Sequence, residues 1–332
     1  MVVVEGAVQA IREFGQSVTL VGDRTRIEAE LARVGTRAGG LPLSVRHASE
    51  VVAMDEHPSA ILRRKKDNSI RVCFDLVREG QAAAAVSAGN SGAFMALGSL
   101  VLGRLEGVDR AAIVALLPTR AGRTVLIDAG ANVDCKPQHL VQFAIMGEVY
   151  ARRALGIREP RVGLLTNGTE EAKGNDITRE AHALLKRASL RFLGNVEGRD
   201  IYNGSADVVV CDGFVGNVAL KTSEGLAAAV RAMMQEEIER SWRTKLGYLL
   251  IRPAFEAFER RVDYAEVGGA PLLGLAGVAI VCHGGSSAKA IKNAIRLAAT
   301  FAATEVNRYI HDDLARNRDL ALLRVRPVAE AT

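Results

Sequence analysis

The sequence predicts a doubly wound α/β fold, three layers (αβα) about a mainly parallel sheet, with a protruding helical hairpin. Three observations predict it. Five apolar, β-rich runs each end in a polar loop dense in Gly and Asn: SAGNSGA from Ser87, DAGANVDCKP from Asp128, TNGTEEAKGN from Thr166, CDGFVGN from Cys211 and CHGGSSAKA from Cys282. A helical pattern follows most of these loops at once, which is the alternation of βαβ units. The composition, 48% hydrophobic and 24% charged over 332 residues, supplies an ample core. In a parallel sheet such loops share the carboxyl edge of the strands, where ligands bind. Free N–H groups at helix starts favour anions there. The expectation is a crevice lined with amides, hydroxyls and lysines for a phosphate-bearing or otherwise anionic ligand.

The elements follow in order. Val4, Ala7, Val8, Ile11 and Phe14 keep helical spacing and Gly15 stops it. SVTLVGD reads as a strand, Asp23 as the cap of a helix with stripe Ile27, Leu31 and Val34, and LPLSVRHA as another strand. Residues 59–66 and 69–79 read as helices, the second with Ile70, Cys73, Phe74 and Val77 on one face. AAAAVSAG is a strand leading to the helix FMALGSLVLG. AAIVALLPT and RTVLIDAG are strands close enough to pair. Pro137 opens the helix PQHLVQFAIMGEVYARRAL. RVGLLTNG, LRFLGN, ADVVVCDG and GVAIVCHGG are further strands, and one long helix runs from Ser287 to about Leu314. The whole reads as a single α/β domain, 1–332, with a loose polar tail over 317–332.

One stretch departs from the alternation. A helical run continues past Lys221 to Trp242 and on to Tyr264; Pro253 interrupts it, so residues 222–264 read as a helical hairpin. Its tip carries Trp242, Leu246, Tyr248, Leu249, Leu250 and Ile251, with Arg243, Lys245 and Arg252 interleaved. Apolar residues flanked by cations suit a membrane interface; a buried dimer contact would use the same residues.

Charge and cysteine usage exclude several classes. The net charge of +5, from 43 basic and 38 acidic residues, is a mild excess that suits an acidic partner. Cys73, Cys135, Cys211 and Cys282 are widely spaced, which argues against a disulfide framework or a zinc cluster. They read as small buried residues rather than catalytic thiols. The longest uncharged stretch, 267–285, is broken by Pro271 and glycines and makes a poor membrane span. With no signal peptide legible, the expected location is cytoplasmic, peripherally on the inner face of the cell membrane. No nucleic-acid module is recognisable.

Several longer segments are distinctive: HASEVVAMDEHPSAILRRKKDNSI, VSAGNSGAFMA, GANVDCKPQHLVQFAIMG, VCDGFVGNVALKTSEG, YAEVGGAPLLGL and HGGSSAKAIKNAI. Together and in this order they resemble the phosphate acyltransferase family of bacterial phospholipid synthesis, the PlsX type. The resemblance implies transfer of a fatty acyl group from acyl carrier protein to inorganic phosphate, giving acyl-phosphate for glycerol-3-phosphate acylation. It also implies a homodimer, no cofactor, loose membrane association beside a downstream membrane acyltransferase, and a fold similar to phosphotransacetylases and isopropylmalate dehydrogenases. Family members carry a further strand and a D-A-M-G-G-D-like loop ahead of VVVEGA, which this sequence does not contain.

Such a reaction asks little covalent help of a protein, because phosphate can itself attack a thioester once held and once the oxyanion is stabilised. For phosphate the candidates are Ser87, Asn90 and Ser91 with the amides of Gly89 and Gly92; the alternative for a Ser/Asn loop is helix capping. Asn132, Asp134 and Lys136 form a second group, with an internal Asp–Lys pair as the alternative. Lys173, Gly174 and Asn175 with Asn167 form a third. Asp212, Asn217 and Lys221 come from the fourth loop and its helix, and His283 and Ser286 from the fifth. His283 would protonate the leaving thiolate. Asn132, Asp134, Lys136, Lys173 and His283 are the catalytic candidates, and the rest bind substrate. The run Arg63, Arg64, Lys65 and Lys66 would receive an acidic carrier protein. Two other readings stay open: a serine thioesterase using Ser91 in a near G-x-S-x-G elbow, and an inactive scaffold that binds carrier protein and membrane.

Overall fold

The computed structural model describes residues 1–37, 40–120 and 122–317. They fall into two compact units: Met1–Leu102, Val215–Pro271 and Gly277–Thr300 form the first; Gly103–Phe214, Leu272–Ala276 and Phe301 onward form the second.

The chain opens in the first unit. Helix α1 (Val2–Phe14) turns Val4, Ala7, Val8 and Ile11 inward. They pack on Leu20 of strand β1 (Val18–Gly22), Leu31 of helix α2 (Arg24–Arg33) and Leu43 of strand β2 (Leu43–His47). Each of the Val, Leu and Ile side chains contributes about 1.5–3 kcal/mol on burial, and the cluster fixes a parallel β1–β2 ladder from Val18↔Leu43 to Gly22↔His47. Asp23 caps α2 by accepting the Arg26 N–H. Helices α3 (Pro58–Arg64) and α4 (Ser69–Arg78) follow. On α4, Ile70, Phe74 and Leu76 are buried, while Cys73 and Val77 are only half-buried. Strand β3 (Ala84–Ser87) feeds helix α5 (Ser91–Val101), and Phe74 meets Phe94 with ring centroids 4.7 Å apart.

In the second unit strands β4 (Ala112–Thr119) and β5 (Gly122–Ile127) pair antiparallel. Helix α6 (Pro137–Ala154) comes next, then strand β6 (Arg161–Leu165), helix α7 (Asp176–Leu185), strand β7 (Arg191–Val196), the short helix α8 (Asp200–Asn203) and strand β8 (Val208–Val210). Parallel ladders join β5 to β8, β8 to β6 and β6 to β7. Helix α6 lies directly on these strands. A Cβ at Gly147 would come within 2.8 Å of Val208 and 3.0 Å of Ile127, so glycine is what permits the approach.

Helix α9 (Gly213–Glu239) begins directly after the loop from Cys211 and takes the chain back to the first unit. Helix α10 (Trp242–Val262) follows a break at Arg240–Ser241, where Ser241 caps α10 by accepting the Thr244 N–H. Pro253 therefore does not interrupt the run as the sequence suggested; it lies inside α10. A proline removes one N–H and crowds the carbonyl four residues earlier. Here that residue is exposed Leu249, whose carbonyl can turn to water.

Strand β9 (Ala270–Leu273) pairs antiparallel with strand β10 (Val278–Val281) through Ala270 and Pro271, and with β4 through Leu272 and Leu273. Strand β10 also pairs parallel with β3. Among the described residues five ladders are parallel and three antiparallel. The predicted mainly parallel α/β fold is what forms. The single long helix expected from Ser287 is instead two, α11 (Ala288–Ala303) and α12 (Val306–Arg316). Between them Glu305 takes a left-handed φ of 48°. Arg153 on α6 stacks 3.4 Å over the Tyr309 ring of α12. Of the predicted loose tail, Asn317 is anchored, accepting the Ser189 N–H and donating to the Asp313 carbonyl; 318–332 lie outside the described residues.

Candidate functional site

In the first unit the register Val281↔Ser87 sets the loop after β10 beside the loop after β3. Each loop delivers the start of a helix, α5 and α11. Helix geometry leaves the first N–H groups without intrahelical acceptors, here those of Ser91 and Gly92 on α5 and of Ala288 and Lys289 on α11. Ser287 caps α11 through the Ala290 N–H. Ser286, just ahead of it, is 8% exposed, and its Oγ has no hydrogen-bond partner among the described residues. A buried hydroxyl left unsatisfied costs about 1–3 kcal/mol, and a ligand oxygen would relieve that cost.

The other first-unit candidates differ in what they have left to offer. Ser87 Oγ already accepts the Gly89 N–H at 3.1 Å. Asn90 is buried and fully engaged. Its Nδ2 donates to the carbonyls of Ala53, Met54 and Glu56 at 3.0–3.2 Å, and its Oδ1 caps α5 through the Ala93 N–H. The side chain predicted to hold phosphate instead clamps loop 53–56. Ser91 is exposed and Gly92 half-buried. His283 is exposed; its Nδ1 accepts the Gly285 N–H at 3.1 Å, which leaves Nε2 to carry the proton of a neutral ring. Asn217 and Lys221 are exposed on α9, with Lys221 in an ion pair to Glu224.

In the second unit a residue missed by sequence reasoning organises the loop after β5. Asp128 is 0% exposed. Its Oδ1 accepts the N–H groups of Ile113, Gly130 and Ala131, and its Oδ2 accepts both the backbone N–H and the Nδ2 of Asn132. Burial pushes its carboxyl up from the usual range, against the pull of those hydrogen bonds. Asn132 also donates to the Ala111 carbonyl, and its own carbonyl accepts the Gly213 N–H at 2.7 Å. The sequence signal was a lone carboxylate closing the buried run TVLI, which needs internal donors.

Beyond this knot Asp134 and Lys136 are exposed. The Lys136 N–H donates to His139 Nδ1, so His139 plays a structural part at the start of α6. Asn167 closes its loop by accepting the Gly174 N–H, and Asn175 caps α7 through Thr178. Lys173 is exposed, with no ion pair among the described residues, and Asp212 is half-buried. Cys135, Cys211 and Cys282 are buried; burial pushes the Cys135 and Cys282 thiols up to about 12, away from thiolate chemistry.

A family model described as fatty acid synthesis protein matches residues 1–309. The chain belongs to that family. It is 60% identical over 320 residues to the phosphate acyltransferase of Geotalea uraniireducens (strain Rf4), covering 96% of this chain and 92% of the relative. The fold is shared with a phosphotransacetylase from Streptococcus pyogenes (TM-score 0.62, 17% identity, 90% of this chain and 91% of the other). It is shared as well with the EutD phosphotransacetylase from Staphylococcus aureus (TM-score 0.60, 15% identity, 90% and 91%). As a member of the fatty acid synthesis protein family the chain is an acyltransferase, and its reaction is acyl transfer to phosphate. That displaces the thioesterase alternative. Ser91 in any case makes no hydrogen bond to His283 among the described residues, which a nucleophile elbow would need.

Proposed function

We propose that the chain moves a fatty acyl group from acyl carrier protein to inorganic phosphate, and that the phosphate is received by the paired loops after β3 and β10. The observation that carries this reading is the first-unit pairing of two helix starts on adjacent parallel strands, with the orphaned Ser286 hydroxyl at one of them. Free backbone donors of this kind favour an anion.

The chemistry is a direct transfer. A phosphate oxygen attacks the thioester carbonyl, the carbonyl oxygen takes the negative charge, and the C–S bond breaks as the C–O bond is kept. The sulfur leaves as thiolate and takes a proton, for which His283 in its doubly protonated form is the proposed donor. Lys136 and Lys173, each exposed on a strand-end loop, are the proposed cations of the reaction. No acyl-enzyme is invoked.

Features of the surface support the finer partners proposed. Arg63 and Arg64 end α3 with no ion pairs among the described residues and suit an acidic carrier protein. On α10 Trp242 is 70% and Leu250 80% exposed, with Leu246, Leu249 and Ile251 also outside. Tyr248 is half-buried, its ring 5.5 Å from that of Phe255. We read the exposed set as the membrane-facing surface, with a second copy of the chain as a further occupant of the helical pair. None of the described helices is long and apolar enough to cross a membrane.

The test is formation of hydroxylamine-trappable acyl-phosphate from palmitoyl-acyl carrier protein with and without inorganic phosphate. Phosphate-dependent product supports the reading. Free fatty acid released equally in both samples would sink it, and carrier binding without turnover would favour the scaffold.

A further inference from the structure

Asp128 uses up the donors of its own loop. The N–H groups of Gly130, Ala131 and Asn132 point at a carboxylate with no solvent exposure. The protein's own anion fills the nest. What that gives is order in two loops at once. Asp128 holds Asn132 by backbone and side chain, and Asn132 in turn holds Gly213, the first residue of α9, immediately after Asp212. Gly213 sits so close that a Cβ there would come within 2.7 Å of the Asn132 nitrogen and 2.9 Å of Asp128 Oδ2. The loops after β5 and β8 are thus tied through one carboxylate.

We propose that Asp128 is a positioning residue for acyl transfer: by clasping Asn132 it fixes the loop that carries Asp134 and Lys136 and the segment Asp212–Gly213. It touches no substrate. The inference rests on the reading that these loops serve the reaction, and it goes beyond that reading in naming the group that sets them. A buried carboxylate held by five donors is rigid, and reacting groups misplaced by even about an ångström can lose on the order of 100-fold in rate.

The experiment compares Asp128→Asn, Asn132→Ala, Ser286→Ala and the pairwise doubles, with kcat and the phosphate KM taken from acyl-phosphate formation and folding followed by circular dichroism and melting. Asp128→Asn keeps the size of the side chain but turns an amide donor toward N–H groups. It is expected to lower kcat by about 100-fold while the phosphate KM stays within about threefold. Because Asp128 acts through Asn132, the Asp128→Asn/Asn132→Ala double should be no slower than the worse single variant, whereas Asp128→Asn and Ser286→Ala should multiply. A purely architectural role predicts the opposite pattern, with kcat falling only as far as the folded fraction falls. Wild-type kcat in Asp128→Asn, or multiplying effects at 128 and 132, overturns the proposal. Should Asp128→Asn not fold, Gly213→Ala strikes the same knot from the other loop; a kcat loss with the phosphate KM kept supports the proposal, and wild-type kcat overturns it. Ser286→Ala separates the two readings. If its phosphate KM is unchanged while Asp128→Asn loses kcat, the phosphate assignment falls and Asp128 stands.

Discussion

Asn90 shows what a single side chain does when four backbone groups converge on it. Three carbonyls from 34 to 37 residues away and one N–H at the start of α5 are met by its amide. Each net hydrogen bond contributes about 1 kcal/mol and an N-cap about another, so Asn90→Ala should cost about 2–4 kcal/mol. Urea melts check this; a loss below about 1 kcal/mol would mean that water replaces the clamp. The sequence marked Asn90 as polar and near a helix start, and both features are correct. Its role was read wrongly because the carbonyls it serves belong to a distant loop that local pattern does not bring near. Asp128 escaped notice partly for the same reason, since Ile113 meets it only in the folded chain. The helix caps, by contrast, were legible: Asp23 is matched by its own neighbours three residues on, a distance that pattern reading spans.

Between elements, the start of β6 is tied to the approach to β8 by Arg161 and Asp207. The guanidinium donates to both carboxylate oxygens at 2.9 and 3.0 Å, and the Arg161 N–H adds a third bond. Burial works against the charge on Asp207, but these bonds outweigh it and hold the carboxyl below its ordinary value of 3.8. A depressed carboxyl binds fewer protons folded than unfolded, so its stabilisation is fully present above the ordinary value and is lost as pH falls through the folded one. Asp207→Asn should therefore destabilise the chain at pH 7, with the gap to wild type closing as the pH drops below 3.8. Denaturant melts across that range decide it; a gap that does not change with pH would place the effect in packing. Most elements were legible because amphipathic spacing and turn residues coincide. The exceptions have physical causes. Strand β9 is four residues, APLL, set among glycines and holding a proline, too short for a period to show. The α11–α12 break turns on Glu305 at φ 48°, with neither Gly nor Pro to announce it.

At the scale of the whole molecule, the core and the exposed apolar surface separate cleanly. Strand β8 is buried end to end and β5 is buried from Thr124 to Ile127, while α10 has no buried residue at all. Apolar surface of that extent is rarely left to water. Leu249→Asp with Leu250→Asp is expected to abolish sedimentation with anionic vesicles and to leave acyl transfer in solution within about twofold of wild type. Persistent vesicle binding would move the contact elsewhere. The sequence placed these residues on a helical excursion and made them outward-facing; it did not place the turn, because Pro253 is a louder signal than Arg240–Ser241.

The knot at Asp128 has a further consequence for how the molecule exchanges its amide protons with solvent. Loop amides normally exchange quickly because brief local openings expose them. Those of Gly130, Ala131 and Asn132 are different: freeing them means uncovering a buried carboxylate and, with it, the partner of the Gly213 N–H. They should label in deuterated water as slowly as Val125 and Leu126 of the adjoining strand, a stretch of loop with the kinetics of a sheet.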